Sequence, residues 1–175
     1  VLKAHREGVL RSASLMVTGR AAREAALVAK DNPGLAVGLH LVLTREESVL
    51  RHDAIPALVD ENSRFRRSPV IASLKYYLSP AARRQIISEI EAQFAAFADF
   101  GLPLSHVDGH QHLHAHPAVF PVVVELARRC GAHGIRVPND PFWPNVRADR
   151  SRMPYKLAIA IVHGYLARVC RLHLR

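Results

Sequence analysis

Residues 36 to 44 read Ala-Val-Gly-Leu-His-Leu-Val-Leu-Thr, and the two faces of this run differ in size. The odd positions hold the bulky Val37, Leu39, Leu41 and Leu43, whereas the even positions hold smaller residues and His40. Alternation with a period of two predicts a strand whose bulky face packs on helices and whose small face meets a confined interior. Because His40 lies near the far end of this strand, we weigh a functional role equally with the structural role that a single strand histidine usually has.

Helical and extended patterns alternate on both sides of this strand. Before it, a helix stops at Gly8, a strand covers residues 12–17 and an Ala-rich helix covers residues 20–30. After it come a helix from Ser79-Pro80 to about residue 100, a His-rich strand, a helix ending at Gly131, a strand at 134–137, a Pro-rich irregular stretch at 138–144 and a helical segment at 151–175. This alternation predicts one α/β domain, residues 1–175, with a largely parallel sheet.

Two segments depart from the plain alternation. Residues 44–79 form a long connection without strong periodicity, which predicts a lid or a substrate-binding loop. Residues 151–175 form a basic amphipathic segment, since residues 147–175 contain seven Arg or Lys and one Asp. Such a segment either packs on the core with a solvated basic face or lies on a membrane surface. The formal net charge is +9, but no nucleic-acid motif is recognisable, so we expect no nucleic-acid partner.

Residues 106 to 116 read His-Val-Asp-Gly-His-Gln-His-Leu-His-Ala-His and hold five of the eleven histidines. In an extended strand alternate side chains share a face, which places His106, Asp108, His110 and His112 together. They would lie at the C-terminal end of a strand, entering a loop before a helix, where α/β folds collect their sites. Because neutral imidazole is the commonest metal ligand, the cluster predicts a metal centre or a proton-transfer site. The alternative is a solvated His-rich loop without chemistry.

Compartment and chain ends follow from simpler observations. Cys130 and Cys170 are far apart in sequence, which predicts buried or idle thiols and a reducing compartment. No apolar run reaches the roughly 18 residues that span a bilayer. We therefore expect a cytoplasmic protein, with peripheral contact at the inner membrane if the basic segment meets lipid. The sequence starts and stops within helical patterns, so we expect a chain truncated at both ends.

Three stretches together resemble the YdjC-like carbohydrate deacetylases. They are Gly38-Leu39-His40-Leu41-Val42-Leu43-Thr44, Pro56-Ala57-Leu58-Val59-Asp60-Glu61 and His106-Val107-Asp108-Gly109-His110-Gln111-His112. The resemblance covers residues 1 to about 140 and is specific, because the Gly-x-His-x-x-Leu-Thr motif and the His-rich motif occur in this order about 70 residues apart. Residues 134–138, Gly-Ile-Arg-Val-Pro, together with the basic end, resemble the hopanoid-biosynthesis-associated branch, which acts on a sugar carried by a membrane lipid.

The resemblance implies a deformed (β/α) barrel with mostly parallel strands and a divalent metal, Mg or Zn, held by one aspartate and two histidines. By position the two histidines are His40 and His110. Relatives often have Asp-Ser-His where this chain has Asp-Gly-His, and we do not expect Gly109 to disturb the ligand. In the family the third ligand and the general base come from an Asp-Asp motif that ends the first strand. This motif is absent here, so we expect a piece that lacks that strand and is inactive by itself.

The family reaction removes acetyl from an N-acetylated amino sugar. Beside the metal ligands, His112, with His114 second, would protonate the leaving amine. Asp108 would orient an imidazole. Arg136 would contact the sugar or stabilise the developing oxyanion, although a structural salt bridge is an equal expectation.

The expected substrate is an N-acetylated sugar or a glycolipid such as a hopanoid glycoside, and a homodimer is a further expectation. Three other functions remain open. An amidohydrolase-type metal hydrolase also uses His-x-His, although usually on the first strand. A non-catalytic metal- or membrane-binding module fits the missing aspartates and the basic end. A pseudoenzyme would keep the fold without the base.

Overall fold

The computed structural model describes residues 1–139 and 142–174. Along the chain it contains α1 (Leu2–Arg6), β1 (Ser12–Leu15), α2 (Ala22–Lys30), β2 (Ala36–Leu41), α3 (Pro69–Leu78), α4 (Pro80–Ala98), β3 (His106–Gly109), a 3-10 segment (His110–Ala115), α5 (Phe120–Arg129), β4 (Gly134–Ile135), α6 (Phe142–Ala148) and α7 (Met153–His173). Every strand and helix predicted from the sequence is present. The strands predicted at 12–17, 36–43 and 134–137 each end two residues earlier, at Leu15, Leu41 and Ile135.

The four strands form one sheet in the order β1-β2-β3-β4, and all of the pairings are parallel. The order of strands in the sheet is therefore their order along the chain, as in successive βα units. This confirms the predicted α/β class with parallel strands. Within the described residues the sheet is open, with β1 and β4 at its two edges.

The core lies between this sheet and the long helix α4. Leu39 and Leu41 on the bulky face of β2 are almost completely buried. The apolar stripe predicted on α4 is buried as well; it consists of Ile86, Ile90, Phe94 and Phe97. Each such side chain contributes about 1.5–3 kcal/mol when it leaves water. The helix starts where predicted, because Ser79 accepts a hydrogen bond from the backbone N–H of Ala82.

The connection at 44–79 is less irregular than the sequence predicts. Residues Pro69–Leu78, near its end, form α3. This helix begins after Ser68, whose hydroxyl accepts a hydrogen bond from the N–H of Ile71. The prediction of an irregular segment is therefore wrong for α3. The Ser-Pro capping signal at 68–69 starts the helix, but its apolar periodicity is too short and incomplete to indicate a helix in the sequence. The preceding part is anchored to α4 by the buried carboxylate of Glu89, which accepts from the N–H groups of Val49 and Leu50. A lid or substrate-binding role for 44–79 stays a prediction.

The C-terminal part contains two further helices. The irregular stretch predicted at 138–144 is partly wrong, since α6 starts at Phe142 with Pro144 in its first turn, where proline is tolerated. Asp140 and Pro141 lie outside the described residues. Helix α7 confirms the predicted helical segment, with Arg175 again outside the described residues. No helix in the described ranges is both long enough and apolar enough to cross a bilayer.

Candidate active site

His40 and Asp108 form the centre of the candidate site. They are direct partners in the parallel register of β2 and β3, near the C-terminal ends of both strands. His40 Nδ1 lies 2.7 Å from Asp108 Oδ1, and the side chains are 23% and 13% exposed. Burial alone raises the pKa of Asp108, but the hydrogen bond and charge of His40, with smaller contributions from Ser14 and His106, bring that pKa below its ordinary value. Asp108 is therefore an ionised acceptor that holds the His40 ring by one nitrogen.

His110 joins this pair from the residue that follows β3. Its ring lies edge-on to the His40 ring, with 5.9 Å between ring centroids. Burial lowers the pKa of His110, and the neighbouring His40 and Arg45 lower it further against the opposing effect of Glu46. A lowered pKa favours the neutral imidazole, which is the form that binds metal. The two predicted metal ligands are thus brought together in space.

Ser14 and His106 complete the polar cluster across the sheet, and sequence reasoning missed Ser14. The Ser14 hydroxyl lies 3.1 Å from Asp108 Oδ2 and 3.1 Å from His106 Nε2. The ring of His106 crosses directly over Gly38 of β2, since an added Cβ there would lie 2.5 Å from His106 Nε2 and 2.5 Å from the His106 carbonyl oxygen. The small residue in the Gly-x-His motif is the signal that could have indicated this crossing.

The predicted shared face of the His-rich strand is correct for His106 and Asp108 and wrong for His112. Gln111 and His112 have φ of 53° and 59°, so the chain turns left-handed after His110 instead of continuing as a strand. Each non-glycine residue in this conformation costs on the order of 1 kcal/mol, and such strain is concentrated at functional sites. The turn carries the half-buried His112 ring to α7, where it lies 5.1 Å from the ring of His163.

His114 is enclosed in the protein and is bound to the backbone of Arg136, so its ring is not placed to contact a substrate. The His114 ring is completely buried, and its Nε2 lies 2.8 Å from the backbone carbonyl oxygen of Arg136. Burial lowers the pKa of His114 to about 4. Gly109 makes room for this ring, because an added Cβ would lie 2.8 Å from His114 Cβ. The backbone carbonyl of Arg136 therefore orients His114. The Arg136 side chain is exposed.

The donor set at the site fits a divalent metal in part. Since Nδ1 of His40 is bound to Asp108, only its Nε2 is available as a ligand, which is the carboxylate–histidine arrangement common at metal sites. His110 offers a second nitrogen. Catalytic zinc sites use three protein ligands, and within residues 1–139 and 142–174 no group of three or more His, Cys, Asp or Glu is arranged to hold a metal ion. Among the described residues, His40 and His110 could thus supply two nitrogen ligands, one fewer than such a site uses.

These features define an α/β protein of successive βα units, with a polar site at the carboxyl ends of its parallel strands. The chain belongs to the YdjC-like protein family, whose model matches residues 1–170.

Curated relatives and one solved structure agree with this membership. A carbohydrate deacetylase of Brevibacillus brevis is 42% identical over 127 residues, which are 73% of this chain and 48% of that protein. A carbohydrate deacetylase of Geobacillus stearothermophilus is 39% identical, over 90% of this chain and 56% of that protein. A chitooligosaccharide deacetylase of Serratia marcescens is 34% identical, over 75% and 50%. The crystal structure of a putative cellobiose-phosphate cleavage protein from Enterococcus faecalis superposes with a TM-score of 0.67 at 26% identity, over 91% of this chain and 56% of that one.

The chain spans about half the length of the curated relatives that it matches.

Proposed function

We propose that the chain is part of an enzyme that hydrolyses the acetamide of an N-acetylated amino sugar with the help of a divalent metal, Mg or Zn. The observation that carries the proposal is the junction of His40, Asp108 and His110 at the ends of β2 and β3. The relatives named carbohydrate deacetylase support the reaction class. Two neighbouring imidazoles, one of them oriented by a carboxylate, support the metal.

Each residue has a definite task in this proposal. A bound divalent metal would polarise the acetyl carbonyl and lower the pKa of water. His40 and His110 would hold it through neutral imidazole nitrogens, and Asp108 keeps the His40 ring in place. His112 is the proton donor to the leaving amine, because its ring is half-buried beside an open groove whereas that of His114 is enclosed. The exposed Arg136 side chain contacts the sugar.

Metal titration tests the ligand assignment. We expect His40→Ala and His110→Ala each to weaken Zn²⁺ or Co²⁺ binding by at least about tenfold, since each removes one ligand of the shell. The control is His133→Ala, which removes an exposed imidazole just before β4, at the opposite edge of the sheet from the carboxyl ends of its strands. Equal affinity in all four proteins would remove the assignment. Acetate release from N-acetylated glucosamine oligosaccharides by the enzyme, lost in His110→Ala, would establish the reaction; metal binding without acetate release would favour the non-catalytic alternative.

The proposal extends to a lipid-linked substrate, such as a hopanoid glycoside, reached at a membrane surface. A groove of about 760 Å³ opens between α3 and α7, and its floor includes His112. Apolar side chains are exposed on both of these helices, in the groove and beside it. They are Val70, Leu74 and Leu78 on α3 and Tyr155, Ile161 and Tyr165 on α7. Residues 62–88 and residues 150–174 contain no Asp or Glu, so the segments that include α3 and α7 each carry a net positive charge.

Vesicle sedimentation tests this extension. We expect the protein to bind vesicles that contain phosphatidylserine and to bind neutral phosphatidylcholine vesicles much less, because the attraction of basic side chains requires anionic lipid. Leu74→Ser and Tyr165→Ser should each weaken binding, whereas Leu27→Ser, at an exposed position of α2, should not. No binding to either vesicle would refute the membrane contact. Concentration-dependent dimers that disappear in Tyr165→Ser would instead assign this surface to a second copy of the chain.

A further inference from the structure

We infer that Ser14 is a positioning residue, which fixes the hydrogen-bond direction that presents Nε2 of His40 as a bare nitrogen at the site. The inference rests on the proposed function only in that Nε2 of His40 would bind the metal; the hydrogen-bond geometry is independent of that function. Ser14 acts through Asp108 and does not itself touch the metal or the substrate. The evidence is a continuous series of hydrogen bonds, His106–Ser14–Asp108–His40, that crosses three neighbouring strands.

The crossing depends on the register of the sheet. Ser14 on β1 is paired with Gly38 on β2, and His40 is paired with Asp108 on β3. Since residues two apart in a strand share a face, Gly38 and His40 point to the same side of β2. The missing side chain at Gly38 leaves the space through which His106 and Asp108 reach the Ser14 hydroxyl on the far strand.

Counting the available protons shows which group donates and which accepts in each of these hydrogen bonds. An ionised Asp108 accepts only, so Oδ2 must receive the one hydroxyl proton of Ser14. The Ser14 oxygen is then an acceptor toward His106, whose Nε2 must carry a proton. The other carboxylate oxygen of Asp108 receives the Nδ1 proton of His40 at 2.7 Å. Whenever the His40 imidazole is in its neutral form, a proton on Nδ1 leaves a lone pair on Nε2.

Ser14 matters because Asp108 has one donor on each oxygen. With both oxygens bound, the carboxylate plane is held and its Oδ1 faces His40. Without the hydroxyl, the carboxylate is free to rotate about its last bond, and His40 loses the orientation that selects one tautomer. Removal of such an outer partner typically weakens metal binding 10- to 100-fold, while a hydrogen bond with no share in ligand orientation would leave it unchanged.

The tautomers of His40 and His106 are measurable directly in the metal-free protein. We would record ring ¹⁵N chemical shifts at about pH 9, where imidazole is ordinarily neutral, because these shifts separate an N–H from a bare nitrogen. We expect His40 as the Nδ1–H form and His106 as the Nε2–H form. Ser14→Ala should turn His40 into a mixture of both forms, and Ser14→Thr, which keeps the hydroxyl in a residue suited to strands, should restore the single form.

Ser12→Ala is the matched control. Ser12 lies two residues away on the same strand and the same face, is exposed, and makes no side-chain hydrogen bond within the described part of the chain. Because Ser14 is itself exposed, its replacement leaves no buried cavity, and thermal unfolding would verify that all of the variants are folded.

Zn²⁺ titration adds the second readout. We expect Ser14→Ala to bind at least about tenfold more weakly than the wild type, with Ser14→Thr and Ser12→Ala near the wild-type value. An unchanged His40 tautomer in Ser14→Ala would overturn the inference, even if His40→Ala and His110→Ala abolish metal binding. A changed tautomer would support it even if the metal proposal fails, so that the two failures are distinguishable.

Discussion

Replacing Gly38 by alanine tests whether the space above β2 controls the site. The added Cβ would lie 2.5 Å from Nε2 and 2.5 Å from the carbonyl oxygen of His106. The ring can move, but the carbonyl belongs to the β3 backbone, so the two strands must shift apart. Overpacking of this kind costs about 1–3 kcal/mol, and displacing His106 loses a hydrogen bond worth about 1 kcal/mol. We expect the free energy of unfolding to fall by about 3 kcal/mol.

Gly134→Ala is the matched control, because Gly134 also lies in a strand and an added Cβ there meets nothing within 4 Å. That change should be neutral or stabilising by about 0.5 kcal/mol, since glycine in a strand has an entropic cost. Urea unfolding measures both variants, and a loss of about 3 kcal/mol in Gly38→Ala corresponds to a melting temperature lower by about 6–12 °C. Equal stability of the two variants would refute the close crossing of His106 over Gly38.

Two other predictions concern buried ionisable groups. The pKa of His114 is about 4 in the folded protein against an ordinary 6.5, so the unfolded chain binds more protons between these values and stability falls as pH decreases from about 6.5 to about 4. This group contributes about 3 kcal/mol to that loss, and urea unfolding across this range should show a shallower pH dependence in His114→Asn; an unchanged dependence would contradict the assignment. Glu89→Ala should lower the free energy of unfolding by about 3 kcal/mol, because the buried N–H groups of Val49 and Leu50 lose their acceptor. Glu91→Ala, at an exposed position of the same helix, should change it by less than about 0.5 kcal/mol, and equal losses would contradict the anchoring role of the buried carboxylate.

The roles of the histidines in the 3-10 segment diverge although their sequence spacing is regular. His110 faces His40, His112 faces His163, and His114 is enclosed beneath the backbone of Arg136. The divergence comes from the two left-handed residues that follow His110. Spacing alone could not predict it, because left-handed conformations at non-glycine residues leave no periodic signal in a sequence.

The sequence by itself determined the order of the strands and of most helices and the buried face of β2, and it singled out His40 and His110 as candidate site residues. Periodicity is a local property, so a strand such as β2 is recognisable without its neighbours. Only the tertiary structure decided which polar groups meet. Asp108 contacts His40, which precedes it by 68 positions, and Ser14, which precedes it by 94 positions. These contacts depend on the register of three parallel strands. A shift of one residue would turn every side chain to the opposite face, which is why Ser14 became part of the site only when the strands were paired.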